Sequence, residues 1–135
     1  MNTFITDVRD AVKQALKAAH SGHTVESFPD DVEQYQFLDP VAAHLVIFMD
    51  TERKQGFQQY GADDVLLPAF DVVQLTHELD PVAYDLLEQT ADALHSLEVA
   101  ALPPGHPLNV ESQTFADRRD GPVWLYRTRV KPWNS

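Results

Sequence analysis

The chain has no cysteine. Disulfides, thiolate metal centres and a cysteine nucleophile are thereby excluded, and a reducing compartment is permitted. Glycine is scarce, with five scattered residues. They form neither a GxGxxG nor a P-loop, so no phosphate-cradling turn is expected. No G-x-S-x-G elbow supports a serine nucleophile. Long apolar runs are missing too. The longest, LVIFM at Leu45–Met49, is far short of the roughly 20 residues that cross a bilayer. The opening MNTFITDVRD has no basic or apolar leader pattern, so no secretory signal is expected there. A soluble protein is the expectation.

Basic residues are in short supply: 10 Lys and Arg stand against 21 Asp and Glu, for a net charge of −11. Such a surface repels phosphate backbones, which disfavours broad nucleic-acid binding, and no sequence-specific nucleic-acid partner is expected. The imbalance is uneven. Through Asp117 there are 5 basic and 20 acidic residues, and from Arg118 onward 5 basic and 1 acidic. The 135 residues suit a single domain spanning 1–135, at the usual ~100–200 residues per domain.

The pattern of elements is α-β-β-β-α-β-β. Phe4, Ile5, Val8, Ala11, Val12, Ala15, Leu16 and Ala19 form one apolar stripe at helical spacing. Asn2 or Thr3 is placed to cap that helix, and Ser21-Gly22 to end it. HTVESF at His23–Phe28 reads as a short strand, broken by Pro29-Asp30-Asp31. Leu45–Met49 reads as a central strand covered on both faces. The polar, aperiodic stretch Asp50–Asp64 reads as a long exposed loop. Ala69–Glu78 forms the next strand, with Pro68 just outside it. Asp80-Pro81 then opens a second helix as N-cap and first residue. Leu108–Phe115 and Pro122–Val130 are the last strands, joined by a turn at Asp120-Gly121. LDPVA occurs at Leu38–Ala42 and Leu79–Ala83, but the flanks diverge and no internal repeat is read from it. The expected fold is α+β, a mixed or antiparallel sheet of four to five strands. Two helices pack on one face, and the other face is left for solvent or a partner.

Chemistry-bearing residues are few. His20 and His23 flank the helix-ending glycine and read as two surface histidines, with a metal site the lesser alternative. His44 and His77 lie in strands and could meet across the sheet; a small ligand-binding domain or enzyme would place a pocket beside them. The pairs Asp30-Asp31 and Asp63-Asp64 flank turns and read as solvated loop charge. No catalytic residue, metal or cofactor is expected. In the last strand Val123, Leu125, Arg127, Arg129 and Lys131 share one side, and Trp124, Tyr126, Thr128 and Val130 the other. Arg, Trp and Tyr are enriched at interfaces. Arg118, Arg119, Arg127, Arg129 and Lys131 are therefore candidates to dock on an acidic flank around Asp30, Asp31, Asp63 and Asp64. Between identical chains that contact is heterologous, and it can close into a ring.

The same order of elements resembles phage tail terminator proteins, the Mu-like contractile-tail and tailocin type. The residues that carry the likeness are TVESFPDD (Thr24–Asp31), AAHLVIFMD (Ala42–Asp50), AFDVVQLTHE (Ala69–Glu78), YDLLEQTADALHSL (Tyr84–Leu97) and PVWLYRTRV (Pro122–Val130). The resemblance implies a small α+β domain that forms a homo-oligomeric ring, a hexamer, on the last ring of the tail tube. It implies a structural virion protein, assembled in the host cytoplasm, that ends tube polymerisation and offers a head-docking surface. Its partners would be the tube protein and also sheath and head-connector proteins, with no membrane, no catalytic residues and no cofactor. A different head–tail joining or completion factor is the nearest alternative.

Overall fold

The computed structural model describes residues 3–29, 32–54, 65–103, 105–119 and 122–133. Helix α1 spans Phe4–Ala19, strand β1 Thr24–Ser27, β2 Ala42–Lys54, β3 Val65–Thr76, helix α2 Val82–Leu94, β4 Leu108–Arg119 and β5 Val123–Pro132. A 3-10 turn at Val32–Gln34 lies between β1 and β2. The five strands make one mixed sheet in the order β1-β2-β3-β5-β4. β1 runs parallel to β2, and the other pairs are antiparallel. This is the α+β class that the sequence pattern indicates. No helix among the described residues is long and apolar enough to cross a membrane.

Alternation divides the sheet into two faces. Val46, Phe70, Val72 and Val130 face both helices and enclose Val8, Val12, Leu16 and Leu94 in one core. Gln113 ties α2 to the β4–β5 hairpin, its Nε2 donating to the Leu87 carbonyl (2.8 Å) and to Thr128 Oγ1 (3.0 Å). The opposite face is not left bare. Leu45, Ile47, Val73, Leu75, Val123 and Leu125 form a second core closed by Tyr35, Phe28, Val32 and Phe37. The chain between β1 and β2 thus folds back over the sheet. Its aromatic residues supply the cover that a four-residue strand and a turn cannot.

Several boundaries differ from the sequence expectation. Asp50–Lys54 is strand rather than loop, because Thr51, Glu52 and Arg53 pair with Pro68, Leu67 and Leu66. Cross-strand pairing supplies the order that local polarity hides. The expected loop is thereby shortened, and its remainder at 55–64 lies outside the described residues. Pro68 sits inside β3, not before it. The last β3–β5 pair is Phe70 with Val130, so the missing N–H of Pro68 faces no β5 partner. β4 continues past Phe115 to Arg119, absorbing bulges between Val110 and Ser112 and between Phe115 and Asp117. Helix α2 starts at Val82, with Pro81 at the cap position that the sequence assigns to Asp80. Thr3 is the cap residue of α1, but its hydroxyl donates to Asp7 Oδ2 (3.1 Å) rather than accepting from the backbone. Gly22 does take a left-handed backbone, at φ +89.

Candidate functional site

Asp71 organises the charged end of the second face. It lies on β3 opposite Arg129 of β5, one alternation from the Val73–Arg127 pair. Its side chain is only 6 % exposed. Arg129 Nε donates to its Oδ1 at 2.8 Å and Arg127 Nη1 to its Oδ2 at 3.0 Å. Lys131 continues the row, with Nζ 2.7 Å from Glu52 Oε1 on β2. Arg119 reaches the covering segment and donates to the carbonyls of Tyr35 (2.8 Å) and Val32 (3.4 Å). Four of the five basic candidates are thus engaged within the chain. The acidic flank proposed for them, Asp30, Asp31, Asp63 and Asp64, lies outside the described residues.

Arg118 differs. It sits over the Trp124 ring, 5.2 Å from its centroid, on the helix-bearing face. Beside it, Phe115 meets Tyr126 edge to face at 5.5 Å. Phe115 is 56 % exposed and Tyr84 of α2 is 52 % exposed. Tyr84 lies near enough to Tyr126 to help raise the Tyr126 phenol above its ordinary range, after the larger effect of burial. This aromatic group borders the sheet edge. The first residues of β4 are satisfied by the preceding segment: Ser96 N–H donates to the Leu108 carbonyl, Leu108 N–H to the Leu97 carbonyl, and Val110 N–H to His95 Nδ1. From Glu111 to Arg119, β4 has β5 on one side and no strand on the other among the described residues. The sequence marks the aromatic side of β5 but gives no sign of Phe115 or Tyr84. Their significance comes from the register that sets β4 against β5.

His44 and His77 do not meet. His44 lies on the helix face of β2 and is fully buried. His77 follows β3 on the other face, stacked on Phe37 at 4.8 Å, with Nδ1 donating to the Pro122 carbonyl at 3.1 Å. Lying on opposite faces of the sheet, the two do not line one site. His20 is not a surface residue either: it is 2 % exposed. It stacks on His44, ring centroids 4.0 Å apart, and His23 lies alongside in a nearly parallel plane, its centroid 5.4 Å from that of His44. Burial, then repulsion from His23, pulls the His20 imidazole down to about 4. Burial, reinforced by His20 and then His23, holds His44 further below the usual range. The sequence separates these three residues across a helix end, a turn and a strand, so spacing alone could not assemble them.

No protein-family model matches this chain, and no curated protein matches it as a relative.

Proposed function

We propose that this chain is a structural assembly protein that closes a phage or tailocin tail tube as a ring, ends tube polymerisation and presents a head-docking surface. The observation that carries the reading is the open stretch of β4, Glu111–Arg119, bordered by exposed Phe115 and Tyr84 and by Arg118 on Trp124. Uncovered edges can template pairing with another chain, and between its two bulges this one keeps Ser112–Phe115 in regular register. Aromatic and arginine side chains beside such an edge are interface residue types. The other end of the sheet is different: β1 is four residues long and covers β2 only along Ala43–Val46. A contact that joins two unlike ends is heterologous, and repetition of it closes into a ring where the rotation allows. The α+β architecture agrees with the resemblance to tail terminators carried by Thr24–Asp31, Ala42–Asp50 and the later segments. The basic face of β5 enters this reading as a brace inside each subunit, and the aromatic edge replaces it as the docking surface.

The test is a growth assay. Purified chain is added to polymerising tail-tube subunits, and tube length is followed by electron microscopy. Shortened tubes, in proportion to the chain added, are expected. Tubes of unchanged length would contradict the proposal.

A further inference from the structure

We propose that His20, His23 and His44 form a binding site for a borderline first-row divalent cation of the zinc class. The site staples the C-terminal end of α1 to β2. One ring nitrogen from each residue lies within 4.8 Å of the others. The inference is independent of the capping function.

The donor atoms argue for it first. His20 is 2 % exposed and His44 0 %. Each has a buried Nδ1 with no hydrogen-bond partner. Buried polar atoms without partners are uncommon and costly. Of these two, the His20 Nδ1 is the one offered to an ion; His44 offers its Nε2, which lies beside the third imidazole. His23 Nδ1 lies 3.2 Å from His44 Nε2. With their ring centroids 5.4 Å apart and the planes within 10°, the two rings meet nearly end to end, through their nitrogens.

The support around the rings argues for it second. His20 Nε2 lies 2.8 Å from the hydroxyl of Thr90, itself 1 % exposed, on α2. A metal-bound histidine characteristically hands its other ring nitrogen to a fixed partner, which sets the tautomer and orients the ring. With Nε2 committed to Thr90, Nδ1 of His20 is the nitrogen left for an ion. Thr90 is therefore a positioning residue. Its place on the buried face of α2, where helical spacing calls for an apolar side chain, follows from that task.

The cation class follows from the donors. Three imidazoles with no carboxylate or thiolate suit zinc and its neighbours and not magnesium or calcium, which prefer oxygen. Zinc–nitrogen bonds of about 2.0–2.1 Å in a tetrahedron place ligand nitrogens roughly 3.4 Å apart. The nitrogens, now within 4.8 Å of one another, must close to that spacing, and the stacked His20 and His44 rings must turn so that their lone pairs converge on the ion. Binding breaks the His23–His44 contact and frees both nitrogens. His23, the partly exposed member, is the entry point, and a water fills the fourth position.

Cobalt(II) titration of metal-free, untagged protein tests the site. The expected result is one equivalent bound with the visible bands of tetrahedral cobalt, displaced by zinc, together with a higher melting temperature in zinc. His23→Gln, at the partly exposed position, keeps the native circular dichroism and weakens cobalt binding about a hundredfold. Thr90→Val weakens it about tenfold, in the range for outer partners of metal ligands. Absence of tetrahedral bands at saturating cobalt overturns the proposal, as does undiminished binding by folded His23→Gln.

Discussion

Asp71 and the arginines that hold it show how a side chain's role depends on its neighbours across the sheet. Taken alone, Arg127 and Arg129 are a basic stripe; in the fold they are the two cations that permit a carboxylate at 6 % exposure. Replacing Arg129 by Glu sets two carboxylates against each other while Arg127 still holds Asp71, and is expected to lower stability by about 1–3 kcal/mol. Urea denaturation checks this, and a loss below about 1 kcal/mol would mean that Asp71 finds other support. The buried histidines make a second prediction at this scale, for metal-free protein. The folded pKa of His20, about 4, lies below the ordinary 6.5. Between those values the unfolded chain takes up a proton that the folded chain refuses, so stability falls as pH falls from 6.5 to 4. One such group contributes a loss of about 3 kcal/mol over that window. The measurement is chemical denaturation at stepped pH. His20→Gln should be flatter by about one proton over the same window, and an unchanged slope would show that His20 is not the group responsible.

At the scale of elements, the proposed docking edge is β4. Phe115→Lys places a charge on the exposed aromatic group without entering either core, and it is expected to abolish self-association or tube capping while leaving the melting temperature within a few degrees. Sedimentation and thermal melts check both halves; unaltered assembly would remove Phe115 from the contact. Much of the element pattern was legible. The stripe from Phe4 to Ala19 emerges as α1 because a single buried face is a local, periodic signal. The two LDPVA copies diverge as their flanks suggest, one leading into β2 and the other into α2. What was hidden depends on distant partners. Asp50–Lys54 is polar and becomes strand only because Val65–Ala69 lies beside it. Phe28, Val32, Tyr35 and Phe37 show no period of their own, and their role emerges only with the apolar second face beneath them. The histidine cluster is concealed for the same reason: His44 comes to His20 only when β2 is laid under the end of α1.

For the whole molecule, the net charge of −11 sets the solution behaviour of any assembly. Identical copies repel at low ionic strength, and with most basic side chains of β5 already paired internally, the aromatic edge must overcome that repulsion. Assembly is therefore expected to strengthen as salt is raised from low to about physiological strength, where the Debye length is about 8 Å. Light scattering across a salt series checks this. Weakening with salt would instead favour a charge-to-charge contact between copies through the basic ribbon. The central claim, that this domain closes a tube as a collar, is tested most directly by averaging images of tail-tube ends after incubation with the chain. The account predicts a ring of added density at one end of each tube, lost with Phe115→Lys. Bare ends, with the chain remaining as free single subunits, would contradict it.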